Sequence, residues 1–128
     1  MDDSEIGRTA FDPDHRTCIV LLASERFGRL VSGQPDPNIV PVRFALTGER
    51  LAIMATDGAG PPGVPGDRVV LEVDGIDERR RVGWSVIVHG RLVPSDSPDQ
   101  LDITILELTG RWVGAPRPLP PLDRRAYL

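Results

Sequence analysis

Three polar residues at predicted strand positions have side chains suited to binding an anionic small molecule: Arg43, Thr56 and Ser85. The Arg43 guanidinium offers forked, charge-assisted donors, and the two hydroxyls each donate one hydrogen bond. All fifteen basic residues are arginines, so an anion site must use guanidinium, hydroxyl or backbone N–H groups. The alternative interpretation is an ordinary strand surface, with Arg43 in an ion pair and Thr56 favoured at a strand end.

Other catalytic chemistry finds little support in the sequence. Ser85 and His89 are four residues apart on one predicted strand, about 13 Å at 3.3 Å per residue, which is too far for the hydrogen bond of a hydrolytic triad. The glycine-rich nucleotide motifs, CxxC pairs and the HExxH motif are all absent. We therefore expect no metal site and assign no catalytic side chain.

The strand that organises the chain runs from Gly83 to Val93. Alternation places Trp84, Val86, Val88 and Leu92 on one face, and a mixed set that includes Ser85 and His89 on the other. Thirteen prolines and thirteen glycines indicate many short elements separated by turns. The other predicted strands are Arg29 to Gly33, Ile39 to Leu46, Leu51 to Thr56, Arg68 to Asp74 and Leu101 to Leu108. Six antiparallel strands predict a mainly β protein, a small closed or split barrel.

A short helix is predicted ahead of the strands, from about Pro13 to Ser24. Asp12 and Pro13 suit a helix start, Gly28 is expected to stop the helix, and Cys18 is expected to be a buried structural thiol. The chain then divides into an N-terminal arm (residues 1–11), one barrel domain (12–113) and a proline-rich tail (114–128). The tail suits an extended polyproline conformation, whether packed on a partner, disordered or bound as a PxxP ligand.

Charge and hydropathy exclude several classes of function. A net charge of −4 argues against binding to a phosphate backbone, so no nucleic-acid partner is expected. The acidic N-terminus lacks the pattern of a signal peptide, and no apolar run approaches the roughly 20 residues that span a bilayer. A soluble cytoplasmic protein without a membrane partner is the expectation.

The order of motifs resembles the pyridoxamine 5'-phosphate oxidase-like family of flavin-binding split barrels, in its short single-domain form. The resemblance covers roughly Asp12 to Val113. Its motifs are LLASERFGRLV, IVPVRFAL, LAIMATDG and VVLEVDGIDERRRVGWSVIVHGRLV.

This resemblance implies a six-stranded antiparallel Greek-key split barrel that forms a homodimer. It also implies that FMN, or in some relatives a deazaflavin or haem, lies in grooves between the subunits. The cofactor-binding positions that the resemblance implies are on three strands: Val42, Arg43, Phe44, Ala55, Thr56, Trp84 and Ser85.

One segment departs from the family pattern. Relatives usually carry a threonine-lysine pair soon after the third strand, and the lysine contacts the cofactor phosphate. Here residues 57–62 read DGAGPP, and no basic residue lies between Thr56 and Arg68. Two hypotheses follow. The chain is a flavin-dependent (FMN or deazaflavin) oxidoreductase in which arginine replaces the lysine, or it is a split-barrel dimer that has lost the cofactor and acts as a binding or structural protein.

Overall fold

Six strands and one helix make up the computed structural model, which describes residues 12–33, 36–56, 61–79 and 81–114. The helix, α1, spans His15–Ala23. The strands are β1 (Phe27–Ser32), β2 (Asn38–Thr47), β3 (Arg50–Ala55), β4 (Arg68–Asp77), β5 (Val82–Pro94) and β6 (Leu101–Val113). The predicted arm (residues 1–11) and all of the predicted tail after Gly114 lie outside the described residues.

The strands close into an antiparallel barrel in the order β1-β2-β3-β6-β5-β4. β4 returns after the β1-β2-β3 meander to pair with β1, which is the 4-1-2-3 arrangement of a Greek key. The prediction of a mainly β, six-stranded antiparallel Greek-key barrel with a short N-terminal helix is confirmed.

Strand alternation fills the barrel with aliphatic side chains. On β5, every second residue from Val82 to Val88 is buried while the intervening residues are partly exposed, as a strand with one face towards a core requires. The fully buried side chains include Leu30, Val42, Leu51, Ile53, Leu71, Val73, Val86, Val88 and Leu92. The opposite faces of the strands form the outer surface of the barrel, where Arg43 and Ser85 lie.

The barrel closes through a short seam between β3 and β6. Only Leu51 to Ile53 pair with β6 there, whereas β5 and β6 pair over almost their whole length. Arg50 strengthens the seam, because its Nε donates to Oδ2 of Asp102 over 2.8 Å and the Asp102 residue is only 6% exposed. This hydrogen bond raises the pKa of Arg50, so the guanidinium stays charged.

Helix α1 packs on the barrel through Cys18 and Leu22, both buried. Asp14 caps its N-terminus by accepting a hydrogen bond from the Thr17 backbone N–H at 2.8 Å. The prediction of a buried Cys18 is confirmed. In the described part of the chain, no helix is long and apolar enough to cross a membrane.

Several predicted boundaries are wrong. The helix begins at His15 with Asp14 as its N-cap, not at Pro13 with Asp12 as the cap, and β4 runs past its predicted end at Asp74 to Asp77. The helix ends at Ala23 with Ser24 as its C-cap, and Gly28 lies inside β1. Gly28 is needed there because a Cβ would come within 2.8 Å of the Glu72 carbonyl oxygen. β6 continues to Val113, five residues beyond the predicted end at Leu108.

Candidate functional site

The seven predicted cofactor residues lie in two regions of the barrel. Five belong to the β2–β3 hairpin, where Val42 pairs with Ala55 and Arg43 pairs with Met54. The other two, Trp84 and Ser85, lie near the start of β5. Because β1 and β4 separate β2 from β5, Arg43 and Ser85 are three strand spacings, at least about 14 Å, apart over the outer surface.

In the hairpin, the side chains of Val42 and Phe44 point into the core and are buried. Arg43 points outward and donates from Nη2 to the Met54 sulfur at 3.1 Å. A thioether is a weak acceptor, and no carboxylate among the described residues forms an ion pair with Arg43. Arg43 is therefore the residue of this hairpin best able to meet an anion.

Ala55 and Thr56 lie at the end of β3, beyond the residues that pair with β6. β6 pairs with β3 no further than Ile53, so no described strand pairs with Met54 and Ala55 on that side. Thr56 follows directly after β3 and is exposed. The end of β3 consequently offers an exposed hydroxyl, next to a strand edge that no described residue pairs with.

Near the start of β5, Trp84 and Ser85 face opposite ways. Trp84 is 5% exposed and packs in the barrel, with its indole against Gly75 of β4. Ser85 faces outward and is flanked by Asp74 on β4 and Arg111 on β6. The two residues thus serve different surfaces: Trp84 supports the barrel end from within, and Ser85 lies on its outside.

A groove of about 850 Å³ opens beside this pair, at the end of the β4–β5 hairpin. Gly83 forms its floor, between the side chains of Ile76 and Val113 on the neighbouring strands. Ile76 is 77% exposed and Val113 54% exposed, so both walls present apolar surface to solvent. The lining consists of Asp74, Gly75, Ile76, Glu78, Arg81, Gly83, Trp84, Val113 and Gly114.

Charges of both signs surround the groove. Asp74 lies 3.7 Å from the Arg29 guanidinium, which also pairs with Glu72 at 2.8 Å. Arg81 ends the β4–β5 turn with a φ of 55°, a left-handed conformation uncommon for a residue with a side chain. On the other side, Arg111 is exposed and forms no ion pair with any described carboxylate. The groove therefore combines apolar walls with the Arg81 side chain, and Arg111 lies two residues along β6 from the Val113 wall.

A second cavity, of about 550 Å³, lies between α1, the β2–β3 turn and β6. It contains none of the seven predicted residues, and its Arg50 is already paired with Asp102. Among the described residues there is also no cluster of three or more histidine, cysteine or acidic side chains that could hold a metal ion.

The sequence matches the family described as pyridoxamine 5'-phosphate oxidase over residues 14–126. The chain belongs to this family. No curated protein sequence matches it significantly.

Solved structures share the fold of this pyridoxamine 5'-phosphate oxidase family member at low sequence identity. An FAD-binding protein from Mycobacterium smegmatis superposes with a TM-score of 0.66 at 21% identity, covering 82% of this chain and 100% of that chain. An FAD-binding protein from Mesorhizobium loti gives 0.63 at 21%, covering 81% and 96%. A conserved protein of unknown function from Corynebacterium diphtheriae gives 0.60 at 25%, covering 77% and 94%.

Several residues of the groove were not predicted from the sequence of this family member. Gly83, Ile76 and Val113 come together only through the register of β4, β5 and β6, which also places Arg111 beside them. One signal was available: the alternation of β6 continues past Leu108, and extending it to Val113 would have placed a guanidinium beside β5.

Proposed function

We propose that this chain is a flavin-dependent oxidoreductase that works as a homodimer, with the flavin in the groove over Gly83. The observation that carries the proposal is the position of the groove, which adjoins both predicted β5 residues, Trp84 and Ser85. A volume of about 850 Å³ falls within the roughly 300–1,000 Å³ typical of ligand sites.

The residues around the groove fit a flavin by their chemistry. A flavin joins a flat, largely apolar ring to a polar and usually anionic side chain. Ile76 and Val113 supply apolar walls on either side of a floor without a side chain. Ser85, two residues along β5 from Gly83, supplies a hydroxyl beside the groove. Trp84 holds this floor from inside the barrel. When bound, the flavin supplies the hydride or electron transfer, and the protein supplies binding, orientation and exclusion of water.

A homodimer accounts for the remaining predicted residues. Arg43 and Thr56 lie on a different part of the surface from the groove, so in our proposal they reach the cofactor of a second copy. Phe27 on β1 is the register partner of Arg43 and is 61% exposed, so it presents an apolar side chain that a second copy would cover. Exposed apolar surface beside a binding region is common at protein interfaces.

A second candidate function, a dimer without a flavin, is considered because residues 57–67 contain no basic residue. A missing charge-assisted phosphate contact costs about 1.5–3 kcal/mol, a factor of ten to over a hundred in affinity. If no other residue compensates, the barrel is a dimer kept for binding or structure without a flavin.

The visible spectrum of the purified protein distinguishes these two functions, followed by titration with FMN, FAD, a deazaflavin and haemin. The proposal expects saturable flavin binding by a dimer, with the dimer measured by light scattering after gel filtration. Gly83→Val should weaken binding because it fills the floor of the groove, whereas Thr104→Leu, which adds bulk elsewhere on β6, should not. A folded protein that binds none of these ligands supports the cofactor-free function instead.

A further inference from the structure

We infer that Ser85 and Arg111, which lie on the outer face beside the groove, form an anion-binding pair and contact the phosphate of a flavin bound in the groove. The inference rests on the proposed function, because it assigns residues to a flavin site. It concerns a contact that the sequence alone leaves open: which group replaces the lysine that is absent after β3.

The geometry brings a hydroxyl and a guanidinium together at one edge of the groove. Ser85 and Arg111 are direct partners in the β5–β6 register, which places their Cβ atoms about 5 Å apart on the same face. They lie two residues along from Gly83 and Val113, themselves paired on that face. This offset corresponds to about 7 Å from the floor of the groove.

The charges favour Arg111 over Arg81 as the phosphate ligand. Arg81 lies in a turn with Glu78, and both line the groove, so a carboxylate competes with any anion there. The outward neighbours of Arg111 along β6 are the uncharged Thr109 and Val113. The three nearest residues on its face of the β5–β6 pair, including the hydroxyl of its cross-strand partner Ser85, are therefore uncharged.

The acidic residue across the strands from Ser85 is partly neutralised. Asp74 is the other cross-strand neighbour of Ser85, on the side away from Arg111. Its carboxylate lies 3.7 Å from Arg29, so the Arg29 charge offsets the repulsion that Asp74 would exert on a phosphate. Phosphate oxygens accept strong, charge-assisted hydrogen bonds from guanidinium groups, and they also accept hydrogen bonds from hydroxyls.

Comparison of FMN with riboflavin tests this assignment, because the two ligands share the ring and the ribityl chain and differ only in the phosphate. Dissociation constants are measured by quenching of flavin fluorescence, at a fixed low salt concentration. We expect the natural protein to prefer FMN by tenfold or more. Arg111→Gln should remove most of this preference while leaving riboflavin affinity unchanged, and Ser85→Ala should reduce the preference less.

Arg91→Gln is the matched control, since Arg91 also lies on the outer face of β5 but at its far end, beside the Gly66 carbonyl at 3.4 Å. Circular dichroism confirms that each variant folds. Equal weakening of FMN and riboflavin by Arg111→Gln would overturn the inference and leave the flavin site standing. An equal loss of FMN preference in Arg91→Gln would also overturn it, because the preference would then depend on the net charge of the protein and not on a contact with Arg111. A natural protein that binds neither ligand would overturn the proposed function, and this inference with it.

Discussion

The six-membered ring of the Trp84 indole lies against the backbone of Gly75, its partner across β4 and β5. Any Cβ at Gly75 would overlap that ring, with the indole Nε1 only 2.6 Å away. Because glycine has no Cβ, the aromatic ring opposite it can pack directly on the strand backbone. Both residues line the groove, so this contact sets the position of one of its walls.

Replacing Gly75 by alanine should therefore destabilise the protein and displace Trp84. Overpacking of this kind typically costs about 1–3 kcal/mol, which urea unfolding measures, and near-ultraviolet circular dichroism should report the altered indole environment. Gly83→Ala is the matched control on the next strand, because a Cβ there has its nearest neighbour at 3.5 Å, an ordinary contact. Equal free energies of unfolding for the two variants would contradict the account of Gly75.

Gly110 has a similar role under the helix. A Cβ at this position of β6 would come to 2.5 Å from the Cys18 sulfur and 3.3 Å from Pro13. Gly110→Ala should push α1 away from the barrel and expose the thiol. We expect the variant to react at least tenfold faster than the natural protein with a thiol reagent under native conditions, because labelling then needs only local opening of the helix. An unchanged rate would show that the helix accommodates the methyl group in place.

Much of the fold was predictable because it depends on local patterns. Alternation in the segments around Val42, Ile53 and Val88 correctly located strands and their buried faces, since side-chain direction in a strand follows from sequence alone. The role of Gly28 was misjudged as a helix stop, because its actual role is a tertiary contact, the close approach of β1 and β4, which the local sequence does not show. The groove depends on register between distant segments, so its residues could not be grouped in advance. The cytoplasmic location stays a prediction.

The stability of α1 should depend on pH through Asp14. Hydrogen bonds from Thr17 to the Asp14 carboxylate lower the pKa of Asp14 below its ordinary value of 3.8. Because the folded pKa is the lower one, the capping interaction is complete above the unfolded pKa and is lost as the pH falls through the folded value. The natural protein should therefore lose stability relative to Asp14→Asn below about pH 4, in urea unfolding at a series of pH values.

Asp99→Asn serves as the control for that series, because it removes an exposed carboxylate in the turn between β5 and β6, away from the helix. A free-energy difference between the natural protein and Asp14→Asn that stays constant from pH 6 to pH 2 would contradict the capping role of the charge.

A mixed dimer tests whether each flavin site draws residues from two copies of the chain. In our proposal, Arg43 of one copy and Arg111 of the other serve the same site. Chains carrying Arg43→Ala and chains carrying Arg111→Gln are co-expressed with different tags, and dimers that hold one of each are purified. One site of such a dimer then carries both substitutions, and the other site carries neither.

We expect this mixed dimer to bind one FMN per dimer with the affinity of the natural protein, while each parent dimer binds FMN about tenfold or more weakly at both sites. Titration calorimetry gives stoichiometry and affinity together. If each site were built within a single chain, every site of the mixed dimer would carry one substitution and none would keep the natural affinity. That result would assign Arg43 and Arg111 to the same subunit's site. A parent dimer that binds FMN with the natural affinity would remove its substituted arginine from the site altogether.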